Sequence, residues 1–187
     1  ITQELAFTLA AGHEYVVNLM EEGLSAEEAA KTIRFSMAVS SNYFMEMAKF
    51  RAGRMLWANI MNAYTDGCAR KMFTHAVTAD WNVTAYDPYV NMLRGTTEAM
   101  SASLAGVHSL EVRPFDAAYE SPTEFSSRIA RNVQLLLKSE SHFDNVVDPA
   151  GGSYYIENLT QSIAEQAWKL FREVEERGGY TAAFRDG

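Results

Sequence analysis

Ile33-Arg34-Phe35-Ser36-Met37-Ala38-Val39 sets its large apolar side chains at every second position, and Ser40-Ser41-Asn42 ends the run as a turn. A period of two is that of a strand with one face toward a core, so a strand is expected over 33–39. The next residues change period. Phe44, Met47, Ala48, Met55, Trp57 and Ile60 fit a helix over about 43–64, broken by Thr65-Asp66-Gly67. A strand handing over to a long helix, with no hairpin turn between them, is half of a crossover unit.

The same sequence of patterns recurs downstream. Met72-Phe73-Thr74-His75-Ala76-Val77 reads as a second strand, with a loop around Asp80-Trp81. Asp87 as N-cap with Pro88 at the first helical position predicts a helix over 88–104, ending at Gly106. Ser109-Leu110-Glu111-Val112 is a third strand, left by Arg113-Pro114-Phe115-Asp116. Ser121-Pro122-Thr123-Glu124 combines an N-cap, Pro at N1 and Glu at N3, and predicts a helix over 122–139. Upstream, Leu5, Leu9, Val16, Leu19 and Met20 share one face of a helix over 3–20, with Gly23 as its stop. Ser25-Ala26-Glu27-Glu28 is a capping box for a short helix over 26–31. After an Asp148-Pro149-Ala150-Gly151-Gly152 turn, Leu159, Ile163, Ala167, Leu170, Phe171 and Val174 mark a last helix over 157–177, stopped by Gly178-Gly179. Beyond it the chain trails off without a distinct element.

Strand–helix alternation is the signature of an α/β fold whose strands run parallel. About three strands in 187 residues are too few for an open doubly wound sheet, or for a closed (β/α)8 barrel of about 250 residues. Half a barrel fits the length. It also fits a chain that starts at Ile1 in a helical pattern and reads as a fragment.

Composition narrows the partners. Apolar residues make up 48 % and charged residues 21 %, which suits a packed core and argues against disorder. With 24 acidic against 16 basic residues the net charge is -8, the wrong sign for nucleic-acid phosphates. No apolar run approaches ~18 residues, and no leader precedes the first helix, so membrane insertion and export are not expected. The single cysteine, Cys68, can make neither an internal disulfide nor a thiolate metal cluster, and a cytoplasmic, reducing setting is expected.

Few residues carry chemistry on pattern alone. Neither H-E-x-x-H nor C-x-x-C occurs, and no D-x-H-x-x-G. The 148–152 segment lacks G-x-G-x-x-G and a Walker lysine, so it is read as a turn. Arg128 and Arg131 share a helix face and are expected to pair with Asp116 or Asp148. His13 and His142 are expected at the surface or the edge of a core. His108 opens the third strand, at the end of a parallel sheet that serves stability. His75 lies near the other end of its strand, where α/β folds place ligand-facing side chains; a hydrogen-bonded core histidine is the alternative there.

A resemblance supplies a reaction. The segments 42–58 (Asn42-Tyr43-Phe44-Met45-Glu46-Met47 through Trp57-Ala58), Asp87-Pro88-Tyr89-Val90-Asn91-Met92-Leu93-Arg94, Ser127-Arg128-Ile129-Ala130-Arg131-Asn132 and Asp148-Pro149-Ala150-Gly151-Gly152-Ser153-Tyr154 resemble the methylmalonyl-CoA mutase family of adenosylcobalamin-dependent acyl-CoA mutases, nearly end to end. That resemblance implies the C-terminal half of a (β/α)8 TIM barrel over 1–187, with acyl-CoA along the barrel axis and a separate cobalamin-binding domain.

It also implies site positions. His75 matches a substrate-facing histidine, but Val77 stands where the family has glutamine. Ser109 matches the serine of the family's eighth strand, while His108 and Glu111 replace its glutamine and histidine. At the cofactor-facing Asp-Glu-Ala segment this chain reads Asp116-Ala117-Ala118, and Thr32 replaces a coenzyme-A-contacting arginine. Val77 and Ala117 can neither donate nor accept a side-chain hydrogen bond.

An emptied site on an intact scaffold is most like the family's small subunit, which pairs with a catalytic large subunit. The resemblance therefore implies no catalytic residue here, vestigial substrate contacts at His75 and Ser109, degenerate cofactor positions at Val77, Ala117 and Ala118, and no resident metal. Adenosylcobalamin belongs to the holoenzyme and is not expected on this segment alone. The segment itself is expected to self-associate through its open strand edge. The alternative is a piece of an active mutase for a related acyl-CoA, which an intact Tyr-His pair upstream of Ile1 would favour.

Overall fold

The computed structural model describes residues 1–65 and 71–187. The helix-breaking pair Asp66-Gly67 and the lone Cys68 lie outside the described residues. The described chain is α/β, with helices α1 (Thr2–Glu21), α2 (Ala26–Thr32), α3 (Tyr43–Met61), α4 (Val90–Leu104), α5 (Glu124–Ser139), α6 (Tyr154–Glu176) and α7 (Tyr180–Asp186). Its strands are β1 (Phe35–Val39), β2 (Thr74–Thr78) and β3 (Ser109–Glu111). None of the described helices is long and apolar enough to cross a membrane.

The chain divides into two compact units. One comprises Ile1–Phe35, Ala48–Phe73 and Glu157–Gly187; the other comprises Ser36–Met47 and Thr74–Ile156. The first unit is helical. Leu5, Leu9 and Val16 of α1, Phe50, Leu56, Trp57 and Ile60 of α3, and Ala167, Phe171 and Val174 of α6 are all buried. Gly12 lets α1 approach the Phe35 and Trp57 rings, which meet edge-on with centroids 4.7 Å apart. Two polar ties cross this core. Lys49 Nζ, fully buried, donates to Glu4 Oε2 at 2.8 Å. His13 lies between the Tyr64 hydroxyl (2.6 Å) and Glu175 Oε2 (2.9 Å), a core-edge histidine as expected. Ser25 and Glu28 form the expected capping box of α2.

The second unit holds the sheet, in the order β1-β2-β3. Phe35 N–H donates to Phe73 O at one end, and Ala79 N–H donates to Val39 O at the other. Both chains therefore run the same way along β1 and β2. The β2–β3 pairing is parallel, with His75 opposite Ser109 and Val77 opposite Glu111. Phe35, Met37, Val39, Thr74, Ala76 and Thr78 form the buried face. Val112 packs with Ala99 of α4 and with Ala130 and Leu137 of α5 in a small cluster. The expected strand–helix order and parallel pairing are both present.

Several element starts differ from the sequence reading. α4 begins at Val90 instead of residue 88, because Asp87, Pro88 and Tyr89 accept in successive tight turns from Val90, Asn91 and Met92. α5 begins at Glu124, and its capping box is Thr123 with Ser126 instead of Ser121 with Glu124. Thr123 is extended, at φ -87 and ψ 167, as an N-cap must be. Thr123→Ala is expected to destabilise α5 by about 1 kcal/mol. Slower exchange of the Ser126 amide in the variant would contradict that. α6 starts three residues early, at Tyr154, directly after the positive-φ turn at Gly152. Arg128 lies over the Phe125 ring, 5.7 Å from its centroid, in place of the ion pair expected for it with Asp116 or Asp148.

The largest omission is α7. Gly178 and Gly179 stop α6 at positive φ as expected, but Gly179 also serves as the N-cap of another helix. Lacking a side chain to cap it, α7 borrows one from α1. Glu14 accepts from the Thr181 backbone N–H at 2.7 Å and from the Thr181 hydroxyl.

Candidate functional site

Side chains alternate across a strand, so the residues between the buried ones emerge together on the other face of the sheet. Ser36 and Ala38 of β1 are exposed, His75 and Val77 of β2 are half-buried, and Ser109 and Glu111 of β3 are exposed. Every strand residue singled out from the sequence therefore shares this open face. His75 and Ser109 are brought into direct contact, with Nδ1 and Oγ 2.8 Å apart. That hydrogen bond engages Nδ1 of the ring and one of the hydroxyl's sites. Next along the ladder, Val77 faces Glu111, an apolar side chain beside an anion.

The remaining expected positions lie elsewhere. His108 is at the N-terminal end of the sheet as anticipated: its backbone N–H donates to Thr74 O, and its Nδ1 accepts from Thr74 N–H at 3.2 Å. Thr32 turns its hydroxyl back to Ala29 O at 2.8 Å and closes α2. Ala117 and Ala118 lie in the turn after β3, where Ala117 N–H donates to Pro114 O. Asp116, 1 % exposed, points inward, and its Oδ2 accepts from the Thr123 backbone and hydroxyl at 3.4 Å. It organises the entry to α5 and does not face the open sheet.

A polar cluster at the C-terminal ends of the strands went unnoticed in the sequence. After β1, the Ser40 hydroxyl donates to Glu46 of α3. After β2, Asp80 pairs with Arg113 Nε at 2.9 Å, and Asn82 Nδ2 donates to Glu98 Oε1 of α4 at 2.7 Å. Arg113 N–H, just past β3, donates to Thr78 Oγ1 at 2.9 Å. Glu46 and Glu98 are buried, 3 % and 2 % exposed. Burial pushes the Glu98 carboxyl up to about 7; the Asn82 hydrogen bond opposes that rise, and the neighbouring Glu46 and Asp80 charges add to it. A glutamate in mid-helix carries no mark of burial, so nothing local in the sequence announced this cluster. No group of three or more metal-ligating side chains occurs among the described residues.

Comparison with known proteins bears on the whole chain. The family model described as "Methylmalonyl-CoA mutase" matches residues 1–187. The methylmalonyl-CoA mutase small subunit of Porphyromonas gingivalis is 54% identical over 186 residues, covering 98% of this chain and 30% of that protein. The methylmalonyl-CoA mutase of Rhizobium meliloti is 47% identical over 189 residues, covering 100% of this chain and 26% of that protein. The methylmalonyl-CoA mutase large subunit of P. gingivalis is 39% identical over 186 residues, 98% of this chain and 26% of that protein. The chain thus spans less than a third of the length of these relatives.

Proposed function

Because the chain belongs to the methylmalonyl-CoA mutase family, we propose that it forms the second half of a (β/α)8 barrel in a small subunit that supports a catalytic large subunit. In this reading the holoenzyme interconverts methylmalonyl-CoA and succinyl-CoA with adenosylcobalamin, in the cytoplasm. The higher identity to a small subunit than to the large subunit of the same organism, 54% against 39%, favours the supporting role. The open edges of the three-stranded sheet are where further strands would add, or where isolated copies of this segment would associate.

The observation that carries the non-catalytic reading is the His75–Ser109 hydrogen bond on a face otherwise offering Ser36, Ala38, Val77 and Glu111. A site for a thioester and a reactive cofactor needs oriented polar groups free to engage them. Here His75 Nδ1 and the Ser109 hydroxyl are turned on each other, and Ala38 and Val77 offer no polar side chain. Glu111 adds negative charge where the anionic acyl-CoA would lie. These residues do not fit the substrate or the cofactor, and the chemistry is assigned to the partner.

The test uses the full-length subunit carrying this chain, purified free of its partner. It is incubated anaerobically with adenosylcobalamin and methylmalonyl-CoA. No succinyl-CoA is expected until the large subunit is added. Val77→Gln with Ala117→Glu is expected to leave the lone subunit inactive, since Thr32, His108 and Glu111 remain. Turnover by the unmodified lone subunit would make it an active mutase and end this reading.

A further inference from the structure

The cluster at the C-terminal ends of the strands takes no part in the proposed support role, yet it buries two carboxylates that act on each other through their charge. Glu98 comes from α4 and Glu46 from the first turn of α3. Asp80 adds a third acid from the segment after β2, partly offset by its ion pair with Arg113 from the end of β3. No cation pairs with Glu98 among the described residues; its side-chain partner is the Asn82 amide. That amide is used on one side only. Nδ2 donates to Glu98 Oε1, while Asn82 Oδ1 is buried without a hydrogen-bond partner.

A primary amide presents a donor and an acceptor that exchange places on a half-turn about its last bond. An ionised carboxylate can only accept, whereas a protonated one can also donate. We propose that Asn82 and Glu98 form a proton switch: Asn82 Nδ2 donates to ionised Glu98, and on proton uptake the amide turns over so that Oδ1 accepts from the Glu98 carboxyl O–H. The proton comes from solvent and returns to it, and no bond other than hydrogen bonds changes.

On the half-turn Oδ1 gains a partner as Nδ2 gives one up, so what favours the acid form is the removal of one of the buried charges facing Glu46 and Asp80. The ionised form keeps the donor but restores the repulsion. The segment 79–84 bears Asp80, the exposed Trp81 and Asn82, so its hold on α4 tightens in the acid form and loosens in the ionised form. The buried carboxyl titrates near 7, which places this change at neutral pH. A group with a higher pKa in the docked segment than in the released one favours docking at low pH.

Hydrogen–deuterium exchange of peptides covering 79–84, in the full chain from pH 5 to 9 and corrected for intrinsic rates, reads the switch directly. Protection is expected to fall about tenfold or more as pH rises, with a midpoint near 7. Glu98→Gln, uncharged at every pH, should keep the segment protected throughout and abolish the step. Asn82→Leu removes the donor to the ionised form, so the midpoint should move upward while the step survives. A flat wild-type profile, or a step that persists in Glu98→Gln, overturns the proposal. So does an Asn82→Leu midpoint that stays in place, because Asn82 would then make no distinction between the two protonation states, or one that moves down, because the Nδ2 donor would then not be holding the ionised form.

Discussion

Gly12→Val is expected to destabilise the first unit by about 3 kcal/mol. A Cβ built at Gly12 falls 2.5 Å from Phe35 Cε1, 2.7 Å from Phe35 Cζ and 3.3 Å from Trp57 Cζ3. The far end of an exposed ring could swing away from such a contact. This ring cannot, because Phe35 is 4 % exposed and Trp57, against which it packs edge-on, is 1 % exposed. Valine adds two further methyl groups to the clash and forgoes the conformational gain that alanine brings to a helix. At about 2–4 °C per kcal/mol for a chain of this size, the melting temperature should fall by about 6–12 °C. An unchanged melting temperature would mean that α1 can back away from the rings, and that the close approach at Gly12 does not hold the core.

The second large effect is a dependence of stability on pH with an unusual sign. The Glu98 carboxyl is raised from 4.5 to about 7 in the folded protein. The folded state therefore binds its proton more tightly than the unfolded chain does. Its contribution is fully present below about 4.5, is lost progressively as pH climbs to about 7, and is flat beyond. At about 1.4 kcal/mol per unit, the loss by pH 8 is about 3 kcal/mol. Glu98→Gln should remove that slope, leaving the variant more stable than the parent at pH 8 and nearly equal to it at pH 5. Denaturant titrations at both values measure the difference; parallel stability curves for the two proteins would refute the assignment. Glu14 works in the opposite direction. Its hydrogen bonds from Thr181 hold its carboxyl below the usual value, so its smaller, exposed contribution is lost as pH falls.

Periodicity made the sheet legible. The two-residue rhythm of 33–39 places Phe35, Met37 and Val39 on the buried face and Ser36 and Ala38 on the open one. The same alternation in β2 puts His75 and Val77 together on the open face. Helix starts were less legible, because Pro88 and Pro122 each lie in the lead-in to a helix and not at its first residue. Which of several neighbouring cap residues is used depends on partners outside the helix. Thr123 is chosen where Asp116, seven residues upstream, receives its hydroxyl and backbone. Glu98 was illegible for a different reason. Its burial comes from Asn82 and Glu46, 16 and 52 positions away in sequence, and neither position carries a pattern that points to it.

The borrowed cap on α7 imposes an order on the life of the chain. Seven residues are too few for a helix to persist in water by itself, and the carboxylate that caps α7 comes from 167 positions upstream. Helix α7 can therefore settle only after α1 has found its place, and closing so long a loop puts that step late in folding. Until that loop closes, residues 180–186 lack their cap and stay open to proteases. Damage to α1 is equally felt far from where it occurs, because a chain that loses the turn bearing Glu14 also releases residues 180–186.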